Sequence, residues 1–177
     1  MKELRMYRQS LISRYRQAGE DLAALVRSIP PAERQAELHG LEGENGKNSL
    51  EQPLYALFQS KGLSAMQVID RVYADEFQVN FPQIRALLHR QPEPPRLTVS
   101  RQAGNGQGDL LDARLDELLR MRREVAGWLE YLPSPAWSLA SRSPRMGVRT
   151  VQWWVERSLG VMETALQVLK TGIKERA

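Results

Sequence analysis

Cysteine is absent from this chain, and histidine occurs only at His39 and His89. The first absence excludes disulfides, thiolate nucleophiles and cysteine-based zinc sites. The second leaves almost nothing for an imidazole metal centre. Neither histidine has another four residues away, His39 falls in a polar loop, and His89 stands near a helix end. Both read as surface or capping residues, and no metal or other cofactor is expected. No segment approaches the roughly 20 apolar residues that cross a bilayer, so no membrane partner is expected. Residues 1–5 lack the apolar core and small-residue cleavage site of a secretory signal, which makes the cytoplasm the expected compartment. Phosphate-cradling glycine loops and the GxSxG nucleophile turn are missing as well.

The composition that remains, 42% apolar and 26% charged, is that of an ordinary globular protein. At 177 residues the chain is the size of one domain, residues 1–177, able to bury about two-thirds of its unfolded surface. The net charge of +4 is carried mostly by arginine and is spread along the chain. Its densest cluster, Arg120, Arg122 and Arg123, is flanked by Asp116, Glu117 and Glu124. A nucleic-acid footprint would show a sustained basic stripe with aromatics to stack on bases, and none is present.

Apolar periodicity predicts four helices and no strand. In the first, Leu4, Tyr7, Leu11, Tyr15, Ala18, Leu22, Leu25 and Ile29 share one stripe, and Pro30-Pro31 ends it. Residues 37–62 read as a long loop, with a short capped helix over 49–58 laid across one end of the fold. Ser64 with Gln67 three residues on forms a capping box for the second helix. Its predicted inner stripe is Met66, Asp70, Tyr73, Phe77, Phe81, Ile84 and Leu88, with Asp75 and Glu76 facing solvent. Pro82 should kink or divide this helix near Asn80. A linker follows over 91–108.

The third helix starts near Asp109, carries Leu111, Leu115, Leu118, Val125, Leu129 and Leu132, and stops at Pro133 and Pro135. The fourth begins near Gly147 and has two adjacent stripes. One is Val151, Trp154, Ser158, Val161, Ala165 and Val168; the other is Val148, Val155, Leu159, Met162, Leu166, Leu169 and Ile173. A face that wide suits a helix packed against two neighbours, and the expected fold is an all-α antiparallel four-helix bundle.

Two polar residues fall on these apolar stripes. Asp70 lies between Met66 and Tyr73, and Arg122 between Leu118 and Val125. A buried carboxylate needs a cation, so the two are expected to pair. Such a pair would either fix helix register or form the polar floor of a pocket, with Asp70, Tyr73, Arg122 and Trp154 as its ligand-binding residues. No residue is assigned as catalytic.

The stretch 63–76, LSAMQVIDRVYADE, resembles the second-helix motif of the DinB-like proteins, roughly Trp-Ser-x-x-Glu-[VIL]-[VIL]-x-His-Leu-x-x-x-Glu. Residues 147–157, GVRTVQWWVER, continuing through 163–169, are similar to that family's last helix, and 132–138, LPSPAWS, to its third connection. The resemblance implies a four-helix bundle, commonly with a divalent metal on one histidine of the second helix and two of the last. Some members are thiol-dependent transferases or isomerases. Here the implied ligand positions fall on Asp70, or one neighbour away, and on Val161 and Ala165, which have no donor atom. The sequence therefore points to a bundle that has lost the family's metal site and serves as a small-molecule-binding or interaction protein. Its expected partner is a second copy, through Trp128, Trp153 and Tyr131. The alternative is a thiol-dependent enzyme working without the metal from the pocket around Asp70 and Arg122.

Overall fold

The computed structural model describes residues 1–38, 54, 56–58, 62–88 and 107–176. His39, His89, most of the 37–62 connection and most of the 91–108 linker lie outside them.

The first helix, α1 (Lys2–Ser28), buries Leu11, Ile12, Tyr15, Ala18, Leu22, Ala23 and Val26 along one face, but Leu4 and Tyr7, expected on that stripe, are exposed and Leu25 is only part-buried. Ile29 takes the extended conformation (ψ 125°) that a following proline demands, and a short 3-10 turn over Pro31–Glu33 turns the chain. The residues after it are stitched to the start of the next helix by Leu38 N–H to Leu63 C=O (2.8 Å) and Met66 N–H to Arg34 C=O (3.0 Å).

Helix α2 (Ala65–Asp75) begins at the expected capping box. The Ser64 hydroxyl accepts from Gln67 N–H at 3.3 Å, and the Gln67 side chain accepts from Ser64 N–H at 2.9 Å. The helix continues as a π-turn (Glu76–Asn80) into α3 (Phe81–Leu87). Pro82 is the physical reason. It has no N–H for the carbonyl one turn back and its ring crowds that carbonyl. The backbone opens just before it, and Phe81 N–H reaches back five residues to Glu76 C=O.

The π-turn lies at the join of two registers. Before it the buried face is Ala65, Val68, Ile69, Val72 and Asp75; from it onward the face is Glu76, Asn80, Phe81, Ile84 and Leu87. The stripe predicted from Met66, Asp70, Tyr73 and Phe77 is rotated from this one, and those four residues are only part-buried. Asp75 and Glu76, expected in solvent, are inside.

Helix α4 (Gln107–Glu130) ends before Pro133, and a 3-10 turn (Ser134–Ser138) buries Trp137. The next residues correct the sequence reading. Instead of a strand-free connection, β1 (Ala140–Ser143) pairs antiparallel with β2 (Gly147–Thr150), with Ser141 opposite Arg149 and Arg142 opposite Val148. Gly147 sits at φ +73°, a conformation that side chains disfavour, and closes the turn. Helix α5 (Val151–Arg176) therefore starts at Val151, four residues later than Gly147. Both of its expected stripes are buried apart from the exposed Val148, which lies in β2, and the part-buried Ile173.

The described residues are thus mostly helical, with one small two-stranded sheet. Ion pairs give the directions of the rods. Arg16, Glu20 and Arg27 of α1 meet Glu130, Arg123 and Asp116 of α4, so these run antiparallel. Tyr7 and Arg14 meet Glu156 and Glu163, so α1 and α5 run the same way. Asp70 and Glu76 meet Arg114 and Arg122, so α2 and α4 also run the same way. The arrangement expected from sequence, with antiparallel neighbours throughout, did not include these two parallel pairs.

Replacing Ser64 by alanine removes the cap from the Gln67 amide, and it should cost about 1 kcal/mol. Urea unfolding of the variant beside the parent protein reads this directly; an unchanged midpoint would show that the cap contributes nothing.

Candidate functional site

The interior of this protein is not wholly apolar. Arg122 of α4 is 1% exposed and Glu76 of the π-turn 0% exposed. Leaving either charge alone there would cost several kcal/mol. Three elements supply the compensation. Arg122 Nη1 donates to Glu76 Oε1 (3.4 Å) and to Ser158 Oγ of α5 (2.9 Å), and Nη2 donates to the Tyr15 carbonyl of α1 (2.8 Å). The Ser158 hydroxyl lies 2.6 and 2.8 Å from the two Glu76 oxygens and shares its one proton with the carboxylate. The guanidinium also stands 3.8 Å from the centre of the Tyr15 ring, close enough for a cation–π contact.

Gly19, one turn beyond Tyr15, leaves the room this needs. A Cβ there would stand 3.1 Å from Arg122 Nε and 3.2 Å from its Cδ.

A second layer lies beside the first. Arg157 of α5 forms a fork on Asp75, with Nη1 2.8 Å from Oδ2 and Nη2 2.9 Å from Oδ1. Arg157 Nη1 also donates to Asn80 Oδ1 at 2.7 Å. The Asn80 amide nitrogen joins the layers, donating to Asp75 Oδ2 (3.1 Å) and Glu76 Oε1 (3.3 Å). The π-turn brings Glu76 and Asn80 to one side, so a single irregular turn presents both polar groups to α4 and α5. Such turns often mark functional positions.

Burial pushes the Glu76 carboxyl up to about 7, against the downward pull of Arg122 and of the Ser158 hydrogen bond. Asp75 adds to the rise and Asn80 opposes it. Burial also drives the Tyr15 phenol well above its ordinary value, with Arg122 opposing. Among the described residues, no well-formed hydrogen bond reaches Tyr15 Oη, Arg122 Nε or Trp154 Nε1. Chemically, burial favours the protonated form of Glu76 while Arg122 and Ser158 favour its charge.

The four residues predicted to line a pocket divide between two places. Asp70 pairs with Arg114, not with Arg122, on the part-exposed seam between α2 and α4. Tyr73 joins that seam, with Arg114 5.9 Å from its ring centre and Phe77 stacked at 4.4 Å. Arg122 lies in the core with Glu76. Trp154, fully buried, is one turn from Ser158 on α5, edge-on to Trp153 at 5.0 Å. Sequence reasoning found Arg122 and placed Ser158 on an inner stripe. It missed Tyr15, Asp75, Glu76, Asn80 and Arg157 as a set.

The positions implied for a divalent metal do not fit one. Asp70 is committed to Arg114, and its neighbour Arg71 donates to the Leu57 carbonyl at 2.8 Å. Val161 and Ala165 are both 0% exposed and pack in the core without a donor atom. Among the described residues no three His, Asp or Glu side chains gather as a ligand set.

Because Glu76 binds its proton more tightly folded than unfolded, it stabilises the fold most below about pH 4.5, and that contribution is lost as pH rises through about 7. Its size is on the order of 3 kcal/mol. Glu76→Gln cannot titrate, so the stability of the parent relative to this variant should fall between those pH values. A relative stability that is flat or rises with pH would show an ordinary, ionised carboxylate. Arg122→Ala should cost about 3 to 5 kcal/mol at pH 7, since it strands Glu76 and Ser158 without their partner; chemical denaturation measures it.

No protein-family model matches the chain, and no curated protein is significantly similar to it.

Proposed function

We propose that the chain is a single DinB-like four-helix bundle domain that has lost the family's divalent-metal site, and that it works in the cytoplasm as a small-molecule-binding or interaction protein. The observation that carries this reading is the state of the implied ligand positions. Val161 and Ala165 are closed into the apolar core, and the carboxylate of Asp70 is spent on Arg114. The rod directions support the bundle. With α1 and α5 parallel and α2 and α4 parallel, the four helices follow the order up, down, down, up, which needs one long crossover between the second and third rods. In sequence, 19 residues (88–106) separate Leu87 from Gln107, a length that such a crossover would need.

The polar interior supports a structural role for what replaced the metal. Each ion of the Arg122–Glu76 pair is held by residues of other rods, and the pair is out of reach of solvent. Self-association is part of the proposal: Tyr131 is 87% exposed, while Trp128 and Trp153 are part-buried.

A thiol-dependent transferase or isomerase is the second reading. The raised Glu76 carboxyl favours it, since a group titrating near neutrality is what proton transfer needs. Against it, Asp70 and Arg122 have separate partners.

Metal analysis distinguishes the principal reading. Protein loaded with nickel, zinc or ferrous iron and then desalted should retain far less than one equivalent of each. One tightly held equivalent would overturn it.

A further inference from the structure

The exposed large hydrophobic residues of the described chain are Met1, Leu4, Met6, Tyr7, Tyr131, Leu139 and Val148. Most of them are not scattered. The start of α1 lies against the start of α5 and the 134–138 turn, through Tyr7 to Glu156 and Arg8 to Gln152 and Ser134. Tyr131 follows the end of α4, and the hairpin leads directly into α5. Met1, Leu4, Met6, Leu139 and Val148 therefore belong to the segments that meet at this end, with Tyr7 just inside it, whereas Tyr131 lies further along the rods, beside Arg16 of α1 through its neighbour Glu130.

That end also carries cations without an acidic partner. The arginines along the helices are mostly paired: Arg14, Arg16, Arg27, Arg34, Arg114, Arg120, Arg122, Arg123 and Arg157 each meet a carboxylate. Arg142, Arg145 and Arg149 of the hairpin are exposed, and none forms a salt bridge among the described residues. Arg149 instead stacks over Trp153 at 4.5 Å and donates to the Met146 carbonyl. From residue 131 to residue 155 the sequence contains no Asp or Glu at all.

We propose that this hairpin end docks on an anionic phospholipid surface, with Leu4, Met6, Leu139 and Val148 entering the headgroup boundary and Arg142, Arg145 and Arg149 meeting lipid phosphates and carboxylates. Charge complementarity and the type of side chain both select this occupant. A second copy of the hairpin face would set unpaired arginines against each other, so the self-association proposed above falls to Tyr131 and Trp128 at the end of α4 and not to this face. Residues 89–106 carry Arg90, Arg96 and Arg101 against one Glu93, so they are no better match in charge. The protruding apolar groups are mainly aliphatic, unlike a stacking platform for bases. Tyr7 and Trp153 are the amphipathic aromatics that favour the headgroup level. No helix among the described residues is long and apolar enough to cross a membrane, so the contact lies on the surface. The inference stands on this surface and is independent of the reading of the core.

Sedimentation of the full chain with vesicles tests it. The protein should pellet with phosphatidylcholine vesicles containing about one-quarter phosphatidylserine, and release as salt is raised. Pure phosphatidylcholine should retain little. Reversing Arg142 and Arg145 to Glu should weaken partition by roughly tenfold or more. Leu139→Ser with Val148→Ser should weaken it too, which a purely ionic contact would not show. These sites are exposed, so an unchanged melting temperature confirms that each variant is folded. Failure to pellet, insensitivity to both pairs of substitutions, or preference for polyglutamate or duplex DNA over the vesicles would overturn the proposal.

Discussion

The contact between Arg122 and Glu76 sets the terms for everything around it. Two opposite charges have been taken out of water in the middle of an apolar core, and the core must repay their lost hydration with hydrogen bonds. Those bonds come from three directions: the Tyr15 carbonyl, the Ser158 hydroxyl and the Asn80 amide. Apolar stripes tolerate a few degrees of rotation or a small slide, because one methyl group packs much like another. A guanidinium 2.8 Å from one carbonyl and 2.9 Å from one hydroxyl does not. The polar centre therefore specifies which of several similar apolar packings the helices adopt.

The backbone makes its own concessions to that centre. Gly19 gives up a side chain where the arginine stem passes, and the turn before Pro82 opens into π geometry. The irregular turn carries Glu76 into the inner layer and Asn80 between the layers. Asp75, immediately before it, faces Arg157 in the outer layer. A regular helix through the same residues would distribute these groups differently around its axis. The proline and the buried acids are therefore parts of one local solution.

Much of this was legible in the residues. The α1 stripe from Leu11 onward, the Ser64 capping box, the proline stops and the break near Asn80 all follow from local rules, whereas Leu4 and Tyr7 continue that stripe in sequence and yet stand exposed. Arg122 and Ser158 stood out as polar residues on apolar faces. The register of α2 was not legible, because Met66, Tyr73 and Phe77 make a persuasive stripe of their own beside the true one of Val68, Ile69 and Val72. Choosing the right stripe means placing Asp75 and Glu76 inside, which is reasonable only once Arg157 and Arg122, some 80 and 46 residues along the chain, are known to meet them. The hairpin was hidden for another reason: its four-residue strands of Ala, Ser, Arg, Gly, Val and Thr carry no alternating apolar pattern.

Gathering the partners of one arginine from so many places has a consequence for how the chain reaches its fold. Tyr15, Glu76, Arg122 and Ser158 are separated by 107 residues between the first and the third, and no short stretch contains two of them. A partly assembled state lacking any one rod would hold a charge or hydroxyl in the interior with its ligand missing. Such a state is penalised until the last rod arrives. The expected behaviour is a cooperative, late-closing transition in which the centre locks only when all the rods are in place, with no comfortable resting point on the way.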